Sequence, residues 1–100
     1  MNFLMTITYK DSWYALPQEK RSEIVGQVVA YHEKYLKEGK LKDTYSFAGG
    51  ILMSVWNVDS LEEFVLIQSE HPYSVLVNYE SAPFLDHQEV VTLMGKLRNR

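Results

Sequence analysis

The stretch SEHPYSVLVNYESAPFLDH, residues 69–87, decides how the rest of the chain is arranged. Its middle alternates with the two-residue period of a β-strand, so Val75, Val77 and Tyr79 fall on one face and Leu76, Asn78 and Glu80 on the other. A strand that buries one side and keeps an amide and a carboxylate on the other either wets that second side or shares it with an enclosed pocket. The choice rests on what the other strands place beside Asn78 and Glu80.

Toward the N-terminus, Pro72 ends a short helix that starts at Ser60 and reaches about Gln68, with Ser60 and Glu63 at capping-box spacing. Before it lies ILMSVWNV (residues 51–58), a strand entered from another at about Leu41–Phe47 through the turn AGG, where Gly49 or Gly50 supplies a positive φ. AGG stands alone, without a phosphate-cradling glycine pattern. Gly39 closes a longer helix whose first residue is expected at Pro17, with acids early and lysines late. On its wheel Ile24, Val28, Tyr31 and Tyr35 line up, flanked by Val25, His32 and Leu36, while Glu23, Gln27, Lys34 and Lys37 face away. The first strand, Asn2–Tyr9, alternates Phe3, Met5, Ile7 and Tyr9 with Leu4, Thr6 and Thr8, and a polar connection through Asp11 and Ser12 follows. At the other end EVVTLM, residues 89–94, is expected to add a short fifth strand or an arm.

Strand, helix, strand, repeated and joined by a hairpin, is the ferredoxin-like split βαβ pattern: an α+β class domain over residues 1–100 with a four-stranded antiparallel sheet. Right-handed crossovers put both helices on one face of that sheet. The helix-covered face is expected to hold Phe3, Met5, Ile7, Tyr9, Ile51, Met53, Val55, Val75, Val77 and Tyr79. The other would hold Leu4, Thr6, Thr8, Leu52, Ser54, Trp56, Leu76, Asn78 and Glu80. Leu4, Leu52, Trp56 and Leu76 together exceed the apolar patch that monomers commonly expose, so that face is expected to be covered. A half-apolar face with a few polar groups suits a ligand pocket closed by a second copy of the sheet.

Composition bounds the rest. One hundred residues bury roughly two-thirds of their unfolded surface, so the core is modest and a partner subunit is expected to help. A net charge of −3 without a basic stripe argues against a nucleic-acid partner, and the terminal KLRNR reads as a solvated tail. The absence of cysteine removes disulfides and thiolate chemistry and is consistent with a cytoplasmic location. No apolar run is long enough for a membrane span, and MNFLMTIT lacks the charged leader of a signal peptide. Three histidines without i,i+4 or H-x-H spacing predict no metal site.

Several stretches resemble the muconolactone isomerase-like families of the dimeric α+β barrel superfamily. MNFLMTITY is similar to their first strand, EGK (38–40) to the helix exit, SVWNVDSLEEF (54–64) to the passage from third strand to second helix, and PYSVLVNYESAPFLDH (72–87) to the last strand. NVDSLEEF and HPYSVLVNYESAPF also resemble the YCII-related proteins of the same superfamily. The resemblance implies two sheets packed face to face across a homodimer, or a higher homo-oligomer, each barrel holding a small organic acid or lactone, and chemistry without a cofactor. Pro83, Glu80 and His87 match the last-strand pattern. The chain departs from the isomerases in carrying Thr6 and Thr8 where they have charged groups on the first strand, and DTYSF (43–47) where they have an arginine after a tryptophan.

Within that frame Glu80 is the candidate catalytic acid–base, because a carboxylate deprived of water is raised toward neutral pH. The alternative is a Glu80 that bridges subunits. His32, in the buried arc of the first helix, is either a neutral core histidine or a second catalytic group facing a pocket; a histidine on this helix is a suspected active-site group in the YCII-related proteins. Thr6, Thr8, Ser54, Trp56 and Asn78 are the expected substrate-binding residues, with the Trp56 indole walling a ring-shaped ligand. His71, at a helix exit, is expected to be structural or exposed. Asp86 and His87, adjacent on an extended chain, point apart and make a poor dyad. Tyr9, Tyr45, Tyr73 and Tyr79 are expected mainly in core and dimer packing. FVLI (64–67) makes the second helix apolar nearly all round, as for contact with another subunit or with the C-terminal arm.

Three function classes remain: a cofactor-free isomerase of a small cyclic or unsaturated organic acid or lactone, a non-catalytic ligand-binding or assembly protein, and a cofactor-independent monooxygenase.

Overall fold

The computed structural model describes residues 1–99; Arg100, the last cation of the KLRNR tail, lies outside them. The element order is β1 (Asn2–Tyr9), α1 (Asp11–Tyr14), α2 (Gln18–Lys37), β2 (Leu41–Phe47), β3 (Ile51–Asn57), α3 (Leu61–Glu70), β4 (Val77–Phe84) and α4 (His87–Arg98). The strands form one antiparallel sheet in the order β2-β3-β1-β4, the split βαβ arrangement that the sequence pattern predicts.

The core lies between that sheet and two helices. Phe3, Met5 and Ile7 of β1 are buried against Ile24, Val28 and Tyr35 of α2 and Phe64 and Ile67 of α3. Phe3 stacks on Phe64 with ring centroids 4.3 Å apart. Pro17 precedes α2 as its N-cap instead of opening it. Gly39 and both hairpin glycines, Gly49 and Gly50, have positive φ, as their turns require. Only half of the capping box at Ser60 forms. Its hydroxyl accepts from the Glu63 amide, but the Glu63 carboxylate instead pairs with Lys40 at 2.6 Å.

Four expectations are corrected. In β3 the faces are reversed: β1 pairs Phe3 with Trp56, Met5 with Ser54 and Ile7 with Leu52, and directly paired residues share a face. Leu52, Ser54 and Trp56 therefore point toward the helices, and Ile51, Met53 and Val55 point away. The indole is the reason. Trp56 is fully buried, its volume fills the middle of the core, and its Nε1–H donates to Ser54 Oγ at 2.8 Å. Both faces of β3 carry apolar residues, so alternation alone does not distinguish them.

Second, β4 begins at Val77. Residues 72–76 form turns, with Leu76 N–H donating to Tyr73 C=O, which leaves Val75 76% exposed and takes Leu76 off the sheet face. Third, EVVTLM does not form a fifth strand. It lies in α4, whose N-cap Asp86 makes a reciprocal capping box with Glu89. Fourth, Asp11 and Ser12 belong to the one-turn helix α1, which places Trp13 against Tyr9.

Candidate functional site

On the helix side of the sheet, small polar residues stand where a core strand would carry bulk. Thr44 pairs with Ser54 and Ser46 with Leu52, so Thr44, Ser46 and Ser54 share the face beneath α2. Their side chains are short. A cavity of about 310 Å³ remains between α2 and the β2–β3 edge, bounded also by Ile7, Val28, His32 and Tyr73. That size lies at the small end of ligand pockets, enough for one or two rings. Its wall is mostly apolar, and no Lys, Arg, Asp or Glu contributes to it.

Three polar groups are fixed at this wall. The Ser54 hydroxyl accepts the Trp56 indole proton and keeps its own hydrogen to donate. The Tyr9 hydroxyl donates to Tyr73 Oη at 3.2 Å, and burial pushes the Tyr73 phenol well above its ordinary pKa. His32 projects from α2 with its Nε2 3.0 Å from Nε2 of His71. Burial lowers the pKa of His32. His71 is 2% exposed, not surface-bound, and burial followed by its His32 neighbour brings it down to about 3. Tyr31 Oη donates to the Ile67 carbonyl and its ring lies edge-on to His71, tying α2 to α3 at this point. Tyr79 is packed behind the pair with its hydroxyl buried and unpartnered, which raises its pKa to about 12.

The expected site residues thus divide between two faces. Thr6, Thr8, Asn78 and Glu80 do share the face away from the helices: Thr6 pairs with Glu80 and Thr8 with Asn78 across the β1–β4 ladder. Glu80, Asn78 and Thr8 are solvent-exposed in the single chain. Ser54 and Trp56 are not with them. Ser54 lines the helix-side cavity, and Trp56 is a core residue that walls neither site. His32 reaches the cavity, on the opposite side of the sheet from Glu80. His71 was not expected there; its only sequence signal is a histidine directly before Pro72, at a helix end that the chain turns back over.

No family model matches the sequence, and no curated protein matches it. Among solved structures the chain is similar to the crystal structure of muconolactone isomerase at 3.3 Å resolution. The two share 21% identity over 87% of this chain and 91% of that chain, with a TM-score of 0.57. Identity at that level speaks for the arrangement of strands and helices and not for individual residues. This chain has the muconolactone isomerase-like α+β fold, built on a four-stranded antiparallel sheet.

Proposed function

We propose that this protein binds a small organic molecule in the cavity beneath α2, and that it works as a homodimer joined through the sheet faces that the helices leave open. The observation that carries the first part is a mainly apolar chamber of about 310 Å³ with His32, Ser54 and Tyr73 at its wall. The open face supports the second. Leu4, Tyr45, Phe47, Ile51, Met53 and Val55 share it by register, and Tyr45 and Phe47 are each about half exposed.

A titration of isotopically labelled protein with small cyclic ketones and lactones tests the pocket. Amide resonances of Val28, His32, Ser54 and Tyr73 are expected to shift together and saturably. Thr44→Trp, which fills the chamber from the edge strand, is expected to abolish the shifts and leave the fold intact. Shifts confined to other surfaces, or binding that survives Thr44→Trp, would remove this cavity as the site.

A second reading is favoured by the Thr6–Glu80 and Thr8–Asn78 pairs on the open face. Enclosed by a partner sheet, the Glu80 carboxylate would remove a proton from the carbon beside a ligand carbonyl and return it elsewhere, a cofactor-free isomerisation with Asn78 and the threonines orienting the substrate. Glu80→Gln is then expected to abolish deuterium uptake from D2O into such a ligand while the dimer persists. Loss of the dimer without any exchange in the native protein would make Glu80 a bridging residue.

A further inference from the structure

The His32–His71 contact determines where its protons sit. The Tyr73 backbone N–H donates to Nδ1 of His71 at 3.1 Å. A backbone amide cannot accept, so Nδ1 carries no proton and the neutral His71 ring is protonated at Nε2. That nitrogen lies 3.0 Å from Nε2 of His32, which must therefore be the acceptor. The proton of neutral His32 is left on Nδ1. Charging either ring breaks this chain: a proton on Nε2 of His32 would face the N–H of His71, and one on Nδ1 of His71 would face the N–H of Tyr73. The groups packed on the pair are Tyr31 from α2, Tyr73, Trp56 from β3 and Tyr79 from β4. Among the described residues no carboxylate bonds to either ring to favour the imidazolium.

Nδ1 of His32 has no hydrogen-bond partner among the described residues, and it is not one of the sealed, orphaned atoms of the interior. His32 lines the chamber together with the hydroxyls of Ser54, Thr44, Ser46 and Tyr73, so the wall offers hydrogen-bond donors and no formal charge. An anion bound there would lack a counter-charge, and a cation would meet N–H and O–H groups. We infer that His71 fixes His32 as an uncharged Nδ1–H donor, so that the chamber takes a neutral ring-shaped ligand through an acceptor oxygen of the carbonyl, lactone or quinone type. This rests on the helix-side cavity being the binding site. His71 acts here as a positioning residue, because it does not line the chamber and reaches the ligand only through His32.

Long-range proton–nitrogen spectra of the histidine rings read the tautomers directly. His71 is expected as the Nε2–H form and His32 as the Nδ1–H form at neutral pH. The ligand preference is read by titrating coumarin against 2H-chromene, which keeps the bicyclic shape but lacks the carbonyl. Coumarin is expected to bind roughly tenfold more tightly, the worth of one retained hydrogen bond. His71→Gln, which preserves a donor toward His32, should keep both tautomer and preference; His71→Phe should move the His32 proton to Nε2 and reduce the preference to within about twofold. An Nε2–H or charged His32 in the native protein, or equal binding of the two probes in the cavity, overturns the inference. If neither probe shifts a cavity resonance while the tautomers are as stated, the binding site itself is misplaced, and the ligand assignment falls with it.

Discussion

His71 stays uncharged at neutral pH because burial and the adjacent His32 ring hold its pKa near 3, and burial lowers His32 as well. The unfolded chain takes up those protons at about pH 6.5, whereas the folded chain does not. Folding is therefore fully favoured above pH 6.5 and loses ground as the pH falls from there toward 3, by up to about 1.4 kcal/mol per unit for each histidine that stays neutral. Urea midpoints measured at pH 7 and pH 5 are expected to differ in that direction, and His71→Gln should flatten the dependence. A midpoint that is equal at the two pH values would mean that the rings are hydrated or ion-paired. His32 was visible in the sequence as a member of a helical apolar arc. Its partner was not, since a contact between residues 39 apart leaves no local pattern, and a histidine before a proline reads equally well as a loop residue.

At the scale of elements, β3 shows where alternation stops being informative. Ile51, Met53 and Val55 on one side and Leu52 and Trp56 on the other are both apolar sets, and the choice is made by pairing with β1, which seats the largest side chain in the deepest place. Trp56→Ala is accordingly expected to destabilise the folded chain by about 3–5 kcal/mol in chemical denaturation, as the loss of a core indole does. Had Trp56 faced the open side, the same substitution would weaken association and leave the protomer's stability nearly untouched, so the two placements separate cleanly. β1, α2, β2 and α3 were legible because their periods, caps and glycines agree. α4 reads as a strand in the sequence because Val90, Val91, Leu93 and Met94 resemble one when Asp86 and Glu89 are not taken together as a helix start. The capping box makes that start specific. Asp86→Ala is expected to cost the helix about 1 kcal/mol and to raise amide exchange across residues 87–98, with the sheet unaffected.

The whole molecule is longer than its size requires. A compact 100-residue chain has a radius of gyration of about 13 Å, whereas this one measures 16.2 Å, with principal extents of 59 × 27 × 21 Å. α4 buries none of its residues and leaves Val90, Val91, Leu93, Met94 and Leu97 substantially exposed. Leu61, Val65 and Leu66 on α3 are exposed as well, as the all-round apolar character of FVLI anticipated. Added to the open sheet face, these are more uncovered apolar positions than an isolated domain ordinarily carries. They follow from one physical circumstance: a short chain with a modest core spreads its apolar residues over surfaces that a neighbour can complete. The open sheet face is one of them, and its centre is Met53 and Val55, flanked by Leu4 of β1 and Tyr45 of β2. Native mass measurements are expected to show a dimer at micromolar concentration. Val55→Lys should convert it to a protomer by placing two like charges within one desolvated interface. The protomer should keep its far-ultraviolet circular dichroism, because Val55 points away from the helices. Truncation before residue 87 separates the two surfaces, since a dimer held by the sheets survives the loss of α4 and one held by the helix does not. A protein that remains dimeric with Val55→Lys and falls apart without α4 would relocate the interface to that helix, and Glu80 would then face solvent in the assembled protein as it does in the single chain.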